Sequence, residues 1–296
     1  MRANPPIFLR PSGRTGGTLF VSMLDAHPKL AMSYEIYEDR LFGEAGDPLD
    51  LSCTIEMLER ARQAVPVAWV RSIPDRNFRT FVARARRADV EVDELLGELA
   101  RFAAEGKSFD SIDGRLDFID RLMIYRKEKA GKNYWGGKAA ADLYVLNRRH
   151  PQAVFFAMVR DGRDVLASRL NTGNFQTSAL DCARDWRDKI LEFQCFCKRT
   201  GAKAQEIIYE QLVKNPEAVM RSVCALIGVE YDPIMLSFAE LDMALFRNPH
   251  GHLSHRQIRE GLNKNSIGRW RRDLSSEDIA VFSTYCADIL AAYGYV

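Results

Sequence analysis

The stretch "LRPSGRTGGTLFVSML", Leu9 to Leu24, decides how this chain is read. An apolar run, "PIFLR", enters a glycine-rich turn that opens into a helical pattern from about Gly17 to Ala26, with Leu19, Phe20, Met23 and Leu24 on its apolar side. Strand, glycine-rich turn and helix form a phosphate-binding unit, because the first backbone N–H groups of a helix have no partner within it. A nucleoside-triphosphate loop has the form G-x-x-x-x-G-K-[ST], whose Lys reaches the last two phosphates. Setting Gly16, Gly17 and Thr18 on its end puts Pro11 where the first glycine belongs and Gly17 where the Lys belongs. The cation stands at Arg14 instead, so the question is which anion the loop holds.

Working outward, "LAMSYE" reads as a second short strand. From about Asp39 to Lys132 helix-period stretches follow one another: "LSCTIEMLERARQAV", "PDRNFRTFVARARRADV", "VDELLGELARFAAEG" and "GRLDFIDRLMIYRKEKAG". We read residues 39–132 as a helical insertion between two core strands, on the acceptor side of a single domain spanning 1–296. The α/β alternation then resumes. "NYWGGKAA" is a strand and turn, "ADLYVLNRRHP" a helix, and "AVFFAMVR" a buried strand bounded by Pro151 and Asp161-Gly162. "DVLASRL" and "SALDCARDWRDKILEFQCFCKRTG" are helices and "AQEIIYE" a strand. The last third is helical, with "NKNSIGRW" as a loop and "SSEDIAVFSTYCADILAAYG" as one final helix capped by Ser275 or Ser276. Strands separated by helices give an α/β fold, a P-loop-like parallel sheet flanked by helices, with right-handed crossovers.

Composition sets bounds on this reading. The chain of 296 residues is 47% hydrophobic and 28% charged, as in an ordinary globular protein. A net charge of +2 gives no argument for nucleic-acid binding. No apolar run approaches the roughly 18 residues of a membrane span, and "MRANPPIFL" reaches a strand too soon for a signal peptide. Cys53, Cys182, Cys195, Cys197, Cys224 and Cys286 lie in helix-like segments without a C-x-x-C pair, which reads as reduced thiols in a cytoplasmic protein. Arg71, Arg76, Arg79, Arg84, Arg86 and Arg87 make part of the insertion basic: a solvated helical face, or a patch for an anionic acceptor or a membrane surface. His250, His252 and His255 have metal-ligand spacing but no acidic or thiolate neighbour, and read as a loop lining the acceptor pocket.

A kinase or triphosphatase on this topology needs an Asp at the end of an apolar strand to hold Mg²⁺. Here that strand ends in Arg160, with Ser168 eight residues on in the following helix. A guanidinium fork and a hydroxyl near a helix N-terminus converge on an anion. The taken-alone reading of "RDGRD", a surface turn with local ion pairs, weakens beside a second cation-bearing loop.

Together, "SGRTGGTLFVSMLDAHP", "WGGKAAADL", "VFFAMVRDGRDVLASRL", "IIYEQLVKNP" and "NKNSIGRW" come in the order typical of sulfotransferases that use 3′-phosphoadenosine 5′-phosphosulfate (PAPS). The chain resembles their bacterial and Golgi-type branch more than the cytosolic one. The likeness spans both ends of the α/β core and leaves the insertion unmatched. It implies that Gly13, Arg14, Thr15, Gly16, Gly17 and Thr18 surround the 5′-phosphosulfate, that Arg160 and Ser168 hold the 3′-phosphate, and that Tyr209 lies against the adenine. Lys264 joins the 3′-phosphate site, although Asn263 and Asn265 replace the family's Arg and Gly beside it. Glu35 has the spacing from Arg14 of the catalytic Glu in tyrosylprotein sulfotransferases, and Lys138 matches a Lys near the transferring group. Ser254 aligns loosely with a Ser that stabilises the transition state. Glu38 is a competing carboxylate. His27, nearest to the cytosolic branch's His, reads as a structural residue at a helix end.

The resemblance answers the question of the anion. A sulfuryl group carries less charge than a phosphoryl group, so Arg14 serves where a kinase needs Lys plus Mg²⁺, and no metal is required. The expected enzyme moves SO₃ from PAPS to a hydroxyl of a carbohydrate, lipid, small metabolite or tyrosine, and releases adenosine 3′,5′-bisphosphate (PAP). The alternatives are a P-loop kinase acting on a small hydroxyl substrate and an inactive nucleotide-binding protein.

Overall fold

The computed structural model describes residues 4–63, 69–172, 177–248 and 255–295. The chain runs β1 (Ile7–Arg10), α1 (Gly17–Ala26), β2 (Leu30–Ser33), then α2 (Leu51–Arg62), α3 (Arg76–Arg87), α4 (Val92–Ala104) and α5 (Ile112–Lys129). The core resumes with β3 (Tyr134–Lys138), α6 (Leu143–Arg149), β4 (Val154–Val159), α7 (Gly162–Thr172), α8 (Ala179–Thr200) and β5 (Lys203–Ile208). The remainder is α9 (Tyr209–Lys214), α10 (Pro216–Ile227), the short α11 (Ala244–Arg247), α12 (His255–Arg259) and α13 (Trp270–Asp273), then α14 (Ser276–Tyr285) and α15 (Ala287–Ala292).

The strands form one parallel sheet in the order β2-β3-β1-β4-β5. A parallel sheet is covered on both faces, which is why β4 reads as a continuous apolar run. From β1 the chain first moves to one side of the sheet and later to the other. The C-terminal end of β1 is thus a topological switch point, where open α/β sheets bind ligands. β3 fits between β1 and β2 because of its glycines: a Cβ on Gly136 would lie 1.9 Å from the Ile7 carbonyl oxygen. This squeeze sets the register that aligns Leu9 with Lys138.

The inserted helices share one core with the sheet. Phe78, Phe81, Phe102, Phe109 and Phe118 of the insertion bury in the same cluster as Phe8, Trp135 and Phe155 of the strands and Phe193 and Phe196 of α8. Phe118 is the hub of the aromatic packing, with Phe102 and Phe109 edge-on at 5.1 and 5.3 Å between ring centres. The helix α3 starts at an Asp75 cap, whose carboxylate accepts from the Phe78 amide at 2.8 Å.

Two elements differ from the sequence reading. The strand read as "AQEIIYE" stops at Ile208, and Tyr209 already begins α9 at the sheet's edge. The single final helix is two, α14 and α15, capped at Ser275 and broken at Cys286, which leaves helical geometry (ψ 18°) as its thiol donates to the Ala183 carbonyl at 3.5 Å. All six cysteines are free, and burial pushes the thiols of Cys182, Cys224 and Cys286 up to about 11. No helix among the described residues is long and apolar enough to cross a membrane.

Candidate active site

A cleft of about 460 Å³ opens at the C-terminal ends of β1, β3 and β4, the switch point of the sheet. Its floor is the turn between β1 and α1. Arg14 there has a left-handed backbone (φ 71°), and so has Gly16 (φ 96°). Position 16 admits no side chain: a Cβ would sit 2.4 Å from the Tyr209 ring. The glycine-rich spelling of the turn therefore has two causes, the backbone angle and the tyrosine that closes over it.

Arg14, Arg160 and Ser168 meet in one hydrogen-bonded group. Arg14 Nε donates to Ser168 Oγ at 2.9 Å, and Arg160 Nη1 donates to the Arg14 carbonyl at 3.1 Å. The Arg160 guanidinium lies 4.5 Å from the centre of the Tyr209 ring, and its buried Nε has no hydrogen-bond partner. Arg14 is held below its ordinary pKa by burial first, then by the neighbouring Arg160 and Arg269. Three guanidiniums so close together, with one buried N–H unsatisfied, make a place for an anion.

Opposite this group, Lys138 reaches from the end of β3 and donates to Thr18 Oγ1 at 2.8 Å and to Glu35 Oε1 at 3.0 Å. A Cβ on Gly17, the position of the absent P-loop Lys, would lie 3.5 Å from Lys138 Cε. An ammonium thus serves the loop from the adjacent strand. The other Glu35 oxygen faces Arg87 of α3 at 3.8 Å. Burial lowers Arg87 to about 10, with Glu35 opposing that shift.

Gly13, Gly16, Gly17, Thr18, Glu35, Lys138, Arg160, Ser168 and Tyr209 all line the cleft with Arg14. Thr15 does not: it is buried and its hydroxyl donates to the Ser12 carbonyl at 2.9 Å, bracing the turn. Lys264, expected at the 3′-phosphate, is exposed and is not among the lining residues. The loop turns instead so that Asn263, Ser266 and Arg269 face the cleft. Asp164, fully buried, fixes that turn by accepting from the amides of Gly268 and Trp270 at 2.7 and 3.0 Å. Tyr209 adds a 2.6 Å hydrogen bond to Ser266.

Glu38 does not line the cleft, and burial raises its pKa. His27 is buried against backbone, its Nδ1 accepting from the Lys29 amide at 3.0 Å and its Nε2 lying 2.9 Å from the Glu230 carbonyl, in keeping with a structural residue. Ser254, His250 and His252 lie outside the described residues. Sequence reasoning missed Thr80, Arg84, Arg87 and Arg269 as lining residues. The spacing of the first three, four and then three apart on a helix, marks one face. The basic stretch does not form a single patch: Arg71 and Arg76 are exposed, Arg86 pairs with Glu91, and Arg84 and Arg87 turn inward.

Comparison with known proteins gives the family and the fold. A model of the "Sulfotransferase family" matches residues 5–233, and the chain belongs to that family. Among curated proteins, protein-tyrosine sulfotransferase 1 of Danio rerio is 26% identical over 247 residues, which is 80% of this chain and 57% of that protein. Protein-tyrosine sulfotransferase A of Caenorhabditis elegans is 25% identical over 300 residues, covering 99% of this chain and 68% of its own. The chain thus spans little more than half of the first relative. Both relatives are animal proteins, so the bacterial source expected from sequence gains no support from them. Among solved structures, the sulfotransferase domain from the Synechococcus PCC 7002 olefin synthase superposes with a TM-score of 0.63 at 17% identity, covering 97% of this chain and 96% of that domain. That likeness shows the α/β fold.

Proposed function

We propose that the cleft takes PAPS as donor and passes its sulfuryl group to a hydroxyl acceptor, with Glu35 as the base. The observation that carries this reading is Lys138, one buried ammonium hydrogen-bonded at once to Thr18 of the anion-binding turn and to the Glu35 carboxylate. This supports a proton acceptor beside the point where the donor's reacting end would lie. The residues fit the donor. The turn and the α1 N-terminus offer amides to the phosphosulfate. Arg160, with its unsatisfied Nε, and Arg269 offer charge to a 3′-phosphate.

In this reaction Glu35 accepts the hydroxyl proton as the acceptor oxygen bonds to sulfur. The bond from sulfur to the 5′-phosphate oxygen breaks, and PAP leaves. Arg14 and Lys138 stabilise the negative charge that gathers on that oxygen. Catalysis is positioning plus charge stabilisation, as in loose phosphoryl transfer. The family membership and the tyrosine-sulfotransferase relatives support the same chemistry.

Thermal shift in PAP, 5′-AMP or Mg-ATP at equal concentration tests the donor. A ligand that binds only the folded state raises its stability by mass action. PAP alone should stabilise the protein, without added metal. Stabilisation by Mg-ATP alone would overturn the reading in favour of a kinase.

A further inference from the structure

One cation of the cleft is accounted for neither by the donor nor by a carboxylate of the protein. Arg14, Arg84, Arg87, Lys138, Arg160 and Arg269 line it, and Glu35 is the sole carboxylate among its described lining residues. Behind the lining, Asp273 pairs with Arg269 at 2.6 Å and Asp164 lies 4.0 Å from Arg160. Position identifies the remaining cation. Arg14 and Lys138 belong to the turn, Arg160 and Arg269 to the 3′-phosphate side, and Arg87 faces Glu35. Arg84 remains. It lies beyond Glu35 on the inserted helix α3, above the Tyr37 ring at 5.0 Å. Among the described residues its side chain has no hydrogen bond or ion pair, and its buried Nη1 lacks a partner. Thr80, one helical turn before it, also lines the cleft.

Resting on the sulfotransferase reading above, we propose that Arg84 and Thr80 form an anion subsite for the acceptor, so that the hydroxyl compound sulfated here carries its own carboxylate. A guanidinium fork matches the two oxygens of a carboxylate, and Tyr37 beneath it holds the fork flat. The neighbouring Arg87 is already engaged by Glu35, so an arriving carboxylate meets Arg84 first. Its contact with Arg84 orients the hydroxyl toward Glu35. A neutral acceptor would leave two adjacent guanidiniums with one carboxylate between them.

The test compares acids with their amides, which keep the shape and remove the charge. PAPS-dependent sulfation is measured on 4-hydroxyphenylacetate against 4-hydroxyphenylacetamide, and on glucuronate against glucuronamide, so that the arms separate a phenolic from a sugar acceptor. PAP-induced thermal stabilisation is followed in parallel. At least one acid should exceed its amide in kcat/KM by about 10- to 100-fold, the range of a charged hydrogen bond. Arg84→Gln should reduce that ratio to near one, and Arg84→Lys should retain part of it. PAP stabilisation with no acid preference in either pair, absent turnover included, overturns the subsite and leaves the donor site standing. So does an acid preference that survives in Arg84→Gln. If PAP fails to stabilise the protein, the sulfotransferase reading falls and the subsite with it.

Discussion

Glu35 is held from two sides, by Lys138 at 3.0 Å and Arg87 at 3.8 Å, and this arrangement separates binding from chemistry. Glu35→Gln removes the proton acceptor but leaves every cation of the cleft in place. Turnover should fall about 10²- to 10⁴-fold, the usual contribution of a general base. Stabilisation by PAP should persist or increase, since two cations lose their carboxylate and face the ligand instead. Normal turnover in the Gln enzyme would remove Glu35 from the role. The residue was legible in the sequence because it follows a strand that ends at the sheet's mouth. Arg87 was not: nothing in "ARARRADV" says which Arg faces inward.

At the scale of elements, the turn from β1 to α1 is shaped by a residue nearly two hundred positions away. Gly16→Ala forces a side chain into a left-handed backbone and into the Tyr209 ring, whose Cδ2 would be 2.4 Å from the new Cβ. We expect a loss of about 1–3 kcal/mol, the cost of such backbone strain, together with weakened PAP binding as the turn moves. Urea unfolding measures the first effect and thermal shift the second. Tyr209→Ala in the same chain should restore part of the stability by removing the clash. Unchanged unfolding in Gly16→Ala would show that the turn adapts. Helix α3 gives the complementary lesson. Phe78, Phe81, Val82 and Ala85 bury one side, and Thr80, Arg84 and Arg87 on another side line the cleft. The amphipathic pattern predicts a helix with a buried face. It does not say that the polar face meets a site rather than solvent.

For the whole molecule, the insertion and the sheet are joined by a buried ion pair as well as by their common core. Arg126 of α5 donates from Nη2 to both oxygens of Asp25 at the end of α1, each at 2.8 Å, and Asp25 also accepts from the Met32 amide of β2. Both side chains are 7% exposed. Arg126→Leu leaves a buried carboxylate whose remaining cation among the described residues is Lys132, with Nζ at 3.8 Å. The loss should be about 3–5 kcal/mol, as when one member of a buried pair is removed. Asp25→Asn with Arg126→Leu should cost less than the two single changes added together, because the uncompensated charge is gone. Strict additivity in urea unfolding would mean that the two residues do not act as a pair.

The sequence by itself determined the local units: a strand, a glycine-rich turn and a helix that present amides to an anion, and an α/β alternation that carries Glu35, Lys138, Arg160 and Tyr209 to strand ends. These follow from short-range patterning and backbone sterics, which neighbouring residues settle among themselves. Only the tertiary structure decided which cations share the cleft. It turned Arg269 inward in place of Lys264, aimed Lys138 at both Thr18 and Glu35, and folded α3 back so that Arg84 and Arg87 face the site. Such choices depend on how helices far apart in sequence pack on one sheet, and hydrophobic packing places a helix without reference to the charges on its other face.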